Sequence, residues 1–167
     1  MQICLVVDHR DARSGYCNLS LRPVPDEEKM PGCEYGIVPS WHDLSAHVAH
    51  GEADEIVVAS VLEFVGPDEA DRCLEHWVSR LRVGGTLTIA GADLVAVADL
   101  LATARLSEAD ANLVLYGAGR GDWDCKKALR STRWMMSYMG RCLTIERVTI
   151  DGFRYTIVGK RPKPQGA

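Results

Sequence analysis

Apolar positions in this chain come in short blocks, and the spacing inside the blocks changes along its length. After Gln2 the run to Val7 is continuously apolar and rich in β-branched residues, and polar DHRDARSG follows it. A block of that size, closed by a polar loop, predicts a strand buried on both faces, as in a parallel sheet. Tyr16 to Leu21 alternates weakly and predicts a second short strand. Tyr35 to Val38 predicts a third, broken at Pro39. Glu55 to Ser60 (EIVVAS) is the clearest buried strand of the first half. Between the second and third strands, Arg22 to Gly36 carries three prolines, two glycines and the run Asp26, Glu27, Glu28. It predicts loop without helical period. The segment from Trp41 to His50 has room for one or two helical turns.

In the second half the period lengthens. Pro67 opens a helix, with Asp68, Glu69 and Asp71 in its first turns, where the helix dipole favours acids. Cys73, Leu74, Trp77, Val78 and Leu81 then follow a 3.6-residue spacing. Gly84-Gly85 is read as its positive-φ stop. Thr86 to Ala90 predicts a strand and Asp93 to Leu106 a helix. Ser107 to Ala111 caps that helix or begins another, and Leu113 to Gly121 is read as a glycine-rich turn. Lys127 to Met139 predicts a helix that packs through Leu129, Trp134, Met135 and Tyr138. Leu143 to Ile150 and Phe153 to Val158 form the strongest hairpin signal, with Asp151-Gly152 expected as a type I′ turn. One domain over 1–160 is expected, followed by a polar, proline-broken tail over 161–167 that frays.

Composition narrows the function classes. The chain has 167 residues, 47% hydrophobic and 25% charged, which suits one hydrophobic core. A net charge of −4 argues against a broad nucleic-acid footprint. No apolar run approaches the roughly 18 residues of a membrane span, and the first residues read as a strand rather than a secretion signal, so a cytoplasmic protein is expected. Cys4, Cys17, Cys33, Cys73, Cys125 and Cys142 form no CxxC pair and no zinc spacing, so reduced, unlinked thiols are expected.

Strands alternating with helices, closed by an antiparallel hairpin, predict an α/β fold with a doubly wound, mostly parallel sheet. Three phrases in order make the expectation more specific: ADEIVVASVLEFV at 53–65, LEHWVSRLRVGGTLTIAGADL at 74–94, and LYGAGRGDWDCKKALRSTRWMMSYMG at 115–140. They resemble the fourth strand, the following helix, turn and fifth strand, and the Tyr-Gly…Asp-X-His-Lys region of small class I S-adenosylmethionine-dependent methyltransferases. Val83 stands where that family has Pro, and Lys126 where it has His. More loosely, ICLVVDHRDARSGYCNLSL resembles the family's first strand, glycine loop and second strand.

The resemblance implies a Rossmann-like methyltransferase that binds S-adenosylmethionine and acts on a small-molecule or glycan-linked acceptor. It implies cofactor contacts at Val7, Asp8, His9, Ser20, Asp43, Leu44 and Ser60, and an acceptor side at Asp122, Trp123, Asp124 and Lys126. No catalytic residue and no metal are implied. Two departures stand out. Asp8, His9 and Arg10 fill the loop where the family has Gly-Cys-Gly, and Ser20 replaces the acid that holds the ribose hydroxyls. A charged hydrogen bond contributes about 1.5–3 kcal/mol, so losing both features weakens cofactor binding on the order of 100-fold or more. Asp8 is a candidate replacement for the ribose carboxylate. The alternative is a non-catalytic descendant of the fold that serves as a binding or assembly module, with a homodimer contact through 127–139. A third option is a different nucleotide or nucleoside in the altered loop.

Other groupings read more plainly. His42, His47 and His50 are expected as polar loop histidines. Asp124 is expected as a helix N-cap. Lys126, Lys127, Arg130, Arg133 and Arg141, interleaved with Trp134 and Tyr138, read as an amphipathic helix with solvated charges.

Overall fold

In a computed structural model, the structure describes residues 1–163. Seven strands form one sheet: β1 (Gln2–Leu5), β2 (Cys17–Ser20), β3 (Glu34–Ile37), β4 (Ala53–Ala59), β5 (Leu81–Ala92), β6 (Thr144–Asp151) and β7 (Arg154–Lys160). Their order is β3-β2-β1-β4-β5-β7-β6. The first five are parallel, and β7 runs antiparallel between β5 and β6. This is the expected α/β sheet with its closing hairpin.

Four α-helices accompany it: α1 (Pro67–Arg80), α2 (Leu94–Ala102), α3 (Glu108–Tyr116) and α4 (Thr132–Gly140). The pleat sends alternate residues of β1 to opposite faces. Ile3 and Leu5 join the main core with Leu19, Ile56, Val58, Leu87, Ile89 and Ile157, against Leu74 and Trp77 of α1 and Met135 and Met139 of α4. Cys4, Val6 and Val57 form a small cluster of their own, packed by Ala12 and Tyr16. No α-helix lies between β1 and β4. The crossovers there are irregular, with single 3-10 turns at His9–Asp11 and Asp26–Glu28.

Several boundaries differ from expectation for local reasons. Gly84 takes φ +79 but does not stop α1. That helix ends at Leu81, which is already extended. In the β4–β5 ladder Asp54 alone faces Arg82–Gly85, so Gly84 shapes a bulge at the start of β5. The guanidinium of Arg161 caps α1 instead, donating to the carbonyls of Val78, Ser79 and Leu81. Its backbone also pairs with Gly84 and Gly85. The expected fraying therefore does not begin at Arg161, and residues 164–167 of the expected tail lie outside the described residues.

The hairpin turn is displaced by one residue. Asp151 pairs with Arg154, so Gly152 and Phe153 are the central residues. Only Gly152 has positive φ, the sign pattern of a type II′ rather than a type I′ turn. Ser107 begins a helix, accepting from Asp110 N–H as N-cap, and α3 runs on to Tyr116 through part of the expected turn. The helix expected from Lys127 starts only at Thr132, with Ser131 as N-cap. Trp41 to His50 forms turns rather than helix.

Candidate functional site

The sheet order reverses between β1 and β4, and in open α/β sheets the crevice at the carboxyl ends of such strands is where ligands bind. Two adjoining cavities sit there, sharing Val7 and Phe64 in their walls. The first, ≈ 260 Å³, is walled by Val6, Val7, Leu21, Trp41, Phe64 and Trp123, with Ser20, Arg22, Asp122, Cys125 and Lys127 at its edges. The second, ≈ 540 Å³, carries charges of both signs: Asp8, Asp11 and Asp124 against Arg10, Arg120, Lys126 and Arg154. Ser60 lines it too.

Asp8 organises the tip of β1. It caps the 3-10 turn, accepting from Arg10 N–H at 3.1 Å. Its two oxygens also accept from the Arg10 guanidinium at 3.0 and 2.7 Å and from Arg120 at 2.8 Å. The Arg10 guanidinium, against the opposing effect of burial, holds the Asp8 carboxyl well below the usual carboxylate range. With those bonds made, Asp8 is committed to guanidinium partners rather than free to take ribose hydroxyls.

Arg120 belongs to a strap, residues 117–125, that crosses the crevice between α3 and α4. Its guanidinium also grips Asp124, at 2.9 and 3.3 Å. That pair holds the buried Asp124 carboxyl below its ordinary pKa. Asp124 therefore anchors the strap instead of capping a helix. Trp123 carries the guanidinium carbons of Arg22 at 4.0 Å and Arg120 at 4.9 Å from its ring centre. The strap needs Gly117: at φ +89, an added Cβ there would lie 2.0 Å from the Asp124 carbonyl oxygen.

The remaining expected residues divide. Val7, Asp8, Ser20, Ser60, Asp122, Trp123, Asp124 and Lys126 all line the crevice. Ser20 is buried and its hydroxyl donates to the Arg22 carbonyl, so it has no hydrogen to give a ribose. Lys126 is held by Glu63 at 2.6 Å and by the Val114 carbonyl at 2.9 Å. His9 turns aside: its Nδ1 lies 3.0 Å from Glu28 Oε2, out of line for a hydrogen bond. Asp43 and Leu44 line neither cavity. The Asp43 carboxylate accepts from Ser45 N–H, and Leu44 is core, its N–H donating to His76 Nε2. An aspartate carboxylate in a loop is drawn to the nearest free backbone N–H.

Two further residues belong to the site. Glu63 is buried, with one oxygen accepting from Ala92 N–H at 2.8 Å and the other paired to Lys126. Arg22 reaches the crevice from the tip of β2. The burial of Glu63 was signalled by its place inside the apolar run SVLEFV; nothing local signals Arg22. All six cysteines are unpaired, and burial pushes the Cys4 and Cys73 thiols up to about 12. Among the described residues no group of three or more His, Cys, Asp or Glu side chains is gathered to hold a metal.

Sheet order, antiparallel hairpin and crevice together define the class I methyltransferase fold. Solved structures share it across nearly the whole chain. A putative methyltransferase of Haloferax volcanii, solved with the Trm112 methyltransferase activator, superposes with a TM-score of 0.65 at 11% identity, over 99% of this chain and 83% of that one. A SAM-dependent methyltransferase from Methanosarcina mazei gives 0.62 at 12% identity, over 96% and 92%. One from Mesorhizobium loti gives 0.62 at 13%, over 96% and 90%. At these identities the likeness is one of fold. No protein-family model and no curated protein sequence matches the chain.

Proposed function

We propose that the chain is an S-adenosylmethionine-dependent methyltransferase that works in this crevice. The observation that carries the reading is the pair of cavities at the point where the sheet order reverses. One is apolar and aromatic, and the other carries both signs of charge. Trp41, Phe64, Trp123, Val6 and Val7 suit a flat base. Arg154 suits the carboxylate of an amino-acid end, and Asp11 its cationic groups. The residues present therefore fit the group, with two departures: Asp8, His9 and Arg10 fill the loop at the tip of β1, and no carboxylate stands at Ser20 for the ribose. When bound, the cofactor supplies an electrophilic methyl group on a sulfonium. The chain contributes position and exclusion of water, through Trp123 and the strap on one side and Phe64 on the other.

An acceptor, small-molecule or glycan-linked, would approach past Asp122 and Trp123. Residues 1–160 act as one domain in this reading, in the cytoplasm. Among the described residues no helix is long and apolar enough to cross a membrane. Isothermal titration with S-adenosylmethionine tests the proposal: a saturable heat is expected, and no heat and no thermal shift at millimolar ligand would end it.

A second reading is supported by the commitments of Asp8 and Ser20 to internal partners. In it the fold is a non-catalytic binding or assembly module. Trp134 and Met136 of α4 are 42% and 40% exposed and offer a homodimer contact. Sedimentation showing a strict monomer, together with cofactor turnover, would remove it.

A further inference from the structure

We infer that the tip of β2 is built to receive a phosphate on the ribose of an adenosine nucleotide, with Arg22 as the residue that selects it. In this class of sheet a carboxylate near the second strand accepts the ribose hydroxyls, and an arginine near it accommodates a ribose phosphate instead. Here the carboxylate is gone and its replacement, Ser20, spends its hydroxyl on the carbonyl of Arg22 itself. That bond folds the chain so that Arg22 stands at the cavity wall.

Three features of Arg22 point to an anion. Its guanidinium lies over the Trp123 ring at 4.0 Å, a stacking that leaves its in-plane N–H groups free to donate. Its Nε is buried with no hydrogen-bond partner. Among the described residues the one carboxylate within ion-pair reach is Glu28, at 3.9 Å, too far for a hydrogen bond. The wall of the same cavity adds Lys127, and Asp122 is its one acid. Arginine offers a planar fork that matches phosphate oxygens, and a charged pair of that kind is stronger than a neutral contact. The apolar wall of Val6, Val7, Trp41, Phe64 and Trp123 supplies the place for the base.

The inference goes beyond the methyltransferase reading, since S-adenosylmethionine carries no phosphate. Calorimetry of the whole protein with adenosine, adenosine 2′-monophosphate, adenosine 3′-monophosphate, adenosine 5′-monophosphate and S-adenosylmethionine separates the two. The 2′- or 3′-phosphate is expected to bind at least about tenfold tighter than adenosine, with an advantage that shrinks as salt rises. Arg22→Gln should remove that advantage, bringing the 2′- and 3′-phosphates to within about twofold of the variant's own affinity for adenosine, with an unchanged melting temperature as the check on folding. Equal binding of adenosine and its 2′- and 3′-phosphates overturns the inference. So does preference for the 5′-phosphate, an Arg22→Gln variant that keeps the advantage, or no binding of any nucleotide. S-adenosylmethionine binding without phosphate preference would sink this inference and spare the methyltransferase reading; ribose-phosphate binding without S-adenosylmethionine binding would do the reverse.

Discussion

Arg120 donates to the carboxylate of Asp8 at 2.8 Å, across 112 residues of chain. The same guanidinium holds Asp124, so one side chain ties the tip of β1 to the strap over the crevice. Arg120→Ala leaves Asp124 buried without its cation. Breaking a buried pair costs about 3–5 kcal/mol, but Arg120 is 41% exposed and water screens the pair, so a loss of about 1–3 kcal/mol is expected. Urea denaturation reads it, and a change below about 0.5 kcal/mol would show that the strap is held by something else.

Stability should fall in acid below pH 4. Asp8 and Asp124 have folded pKa values lowered by Arg10 and Arg120 respectively. Asp93 is lowered too: burial pushes it up, but hydrogen bonds from Thr132, Ala96 and Val95 outweigh that. A carboxylate with a depressed folded pKa adds stability that is present above its unfolded pKa and lost as pH falls through the folded value. The melting temperature should therefore hold near neutral pH and drop from about pH 4 downward. Asp8→Asn should flatten part of that drop; an unchanged slope would contradict the assignment.

Glu63 and Lys126 form a buried pair, with side chains 6% and 16% exposed. Lys126→Met strands the Glu63 carboxylate and should cost about 3–5 kcal/mol. Adding Glu63→Gln should recover at least half, because the amide oxygen still accepts from Ala92 N–H. Strictly additive losses in a double-mutant cycle would mean that the two residues do not act as a pair.

Ser60 sits at the tip of β4 with φ 59 and ψ 0. Left-handed backbone costs a non-glycine residue about 1–2 kcal/mol, and glycine gives back about 0.5–1 kcal/mol of that as chain entropy. Ser60→Gly should stabilise the fold by about 0.5–1 kcal/mol, less whatever the weak Arg154 contact at 3.3 Å contributes. A chemical-denaturation midpoint that falls would mean that contact outweighs the strain.

The sheet was legible because its signals are local. Apolar blocks mark β1 and β4, Pro67 and the acids after it mark α1, and a glycine marks the hairpin. What departs from the local signals depends on distant partners. Gly84 looks like a helix stop until Arg161 is seen capping α1 from the far end of the chain. Lys127 to Ser131 has helical composition, but Lys127 and Ala128 give their N–H groups to the Glu63 carbonyl, which keeps that stretch out of a helix until Ser131. In the site, Asp8, Ser20 and Ser60 are legible through the family resemblance, which assigns cofactor contacts at the carboxyl ends of β1, β2 and β4. Arg120 and Arg22 are not, since nothing near them in sequence announces a carboxylate 112 residues away or an indole across the crevice.

The crossovers from β1 to β4 carry no α-helix. The half of the sheet formed by β1, β2 and β3 is thus crossed by irregular chain, while the other half is held by α1 and α4, which bury Leu74, Trp77, Met135 and Met139 in the core. Opening should be graded across the molecule, with amide protons of 8–16 and 22–33 exchanging well before those of β5 and α1. A ligand in the crevice would then announce itself as slowed exchange in the looser half, a readout that requires no knowledge of the reaction.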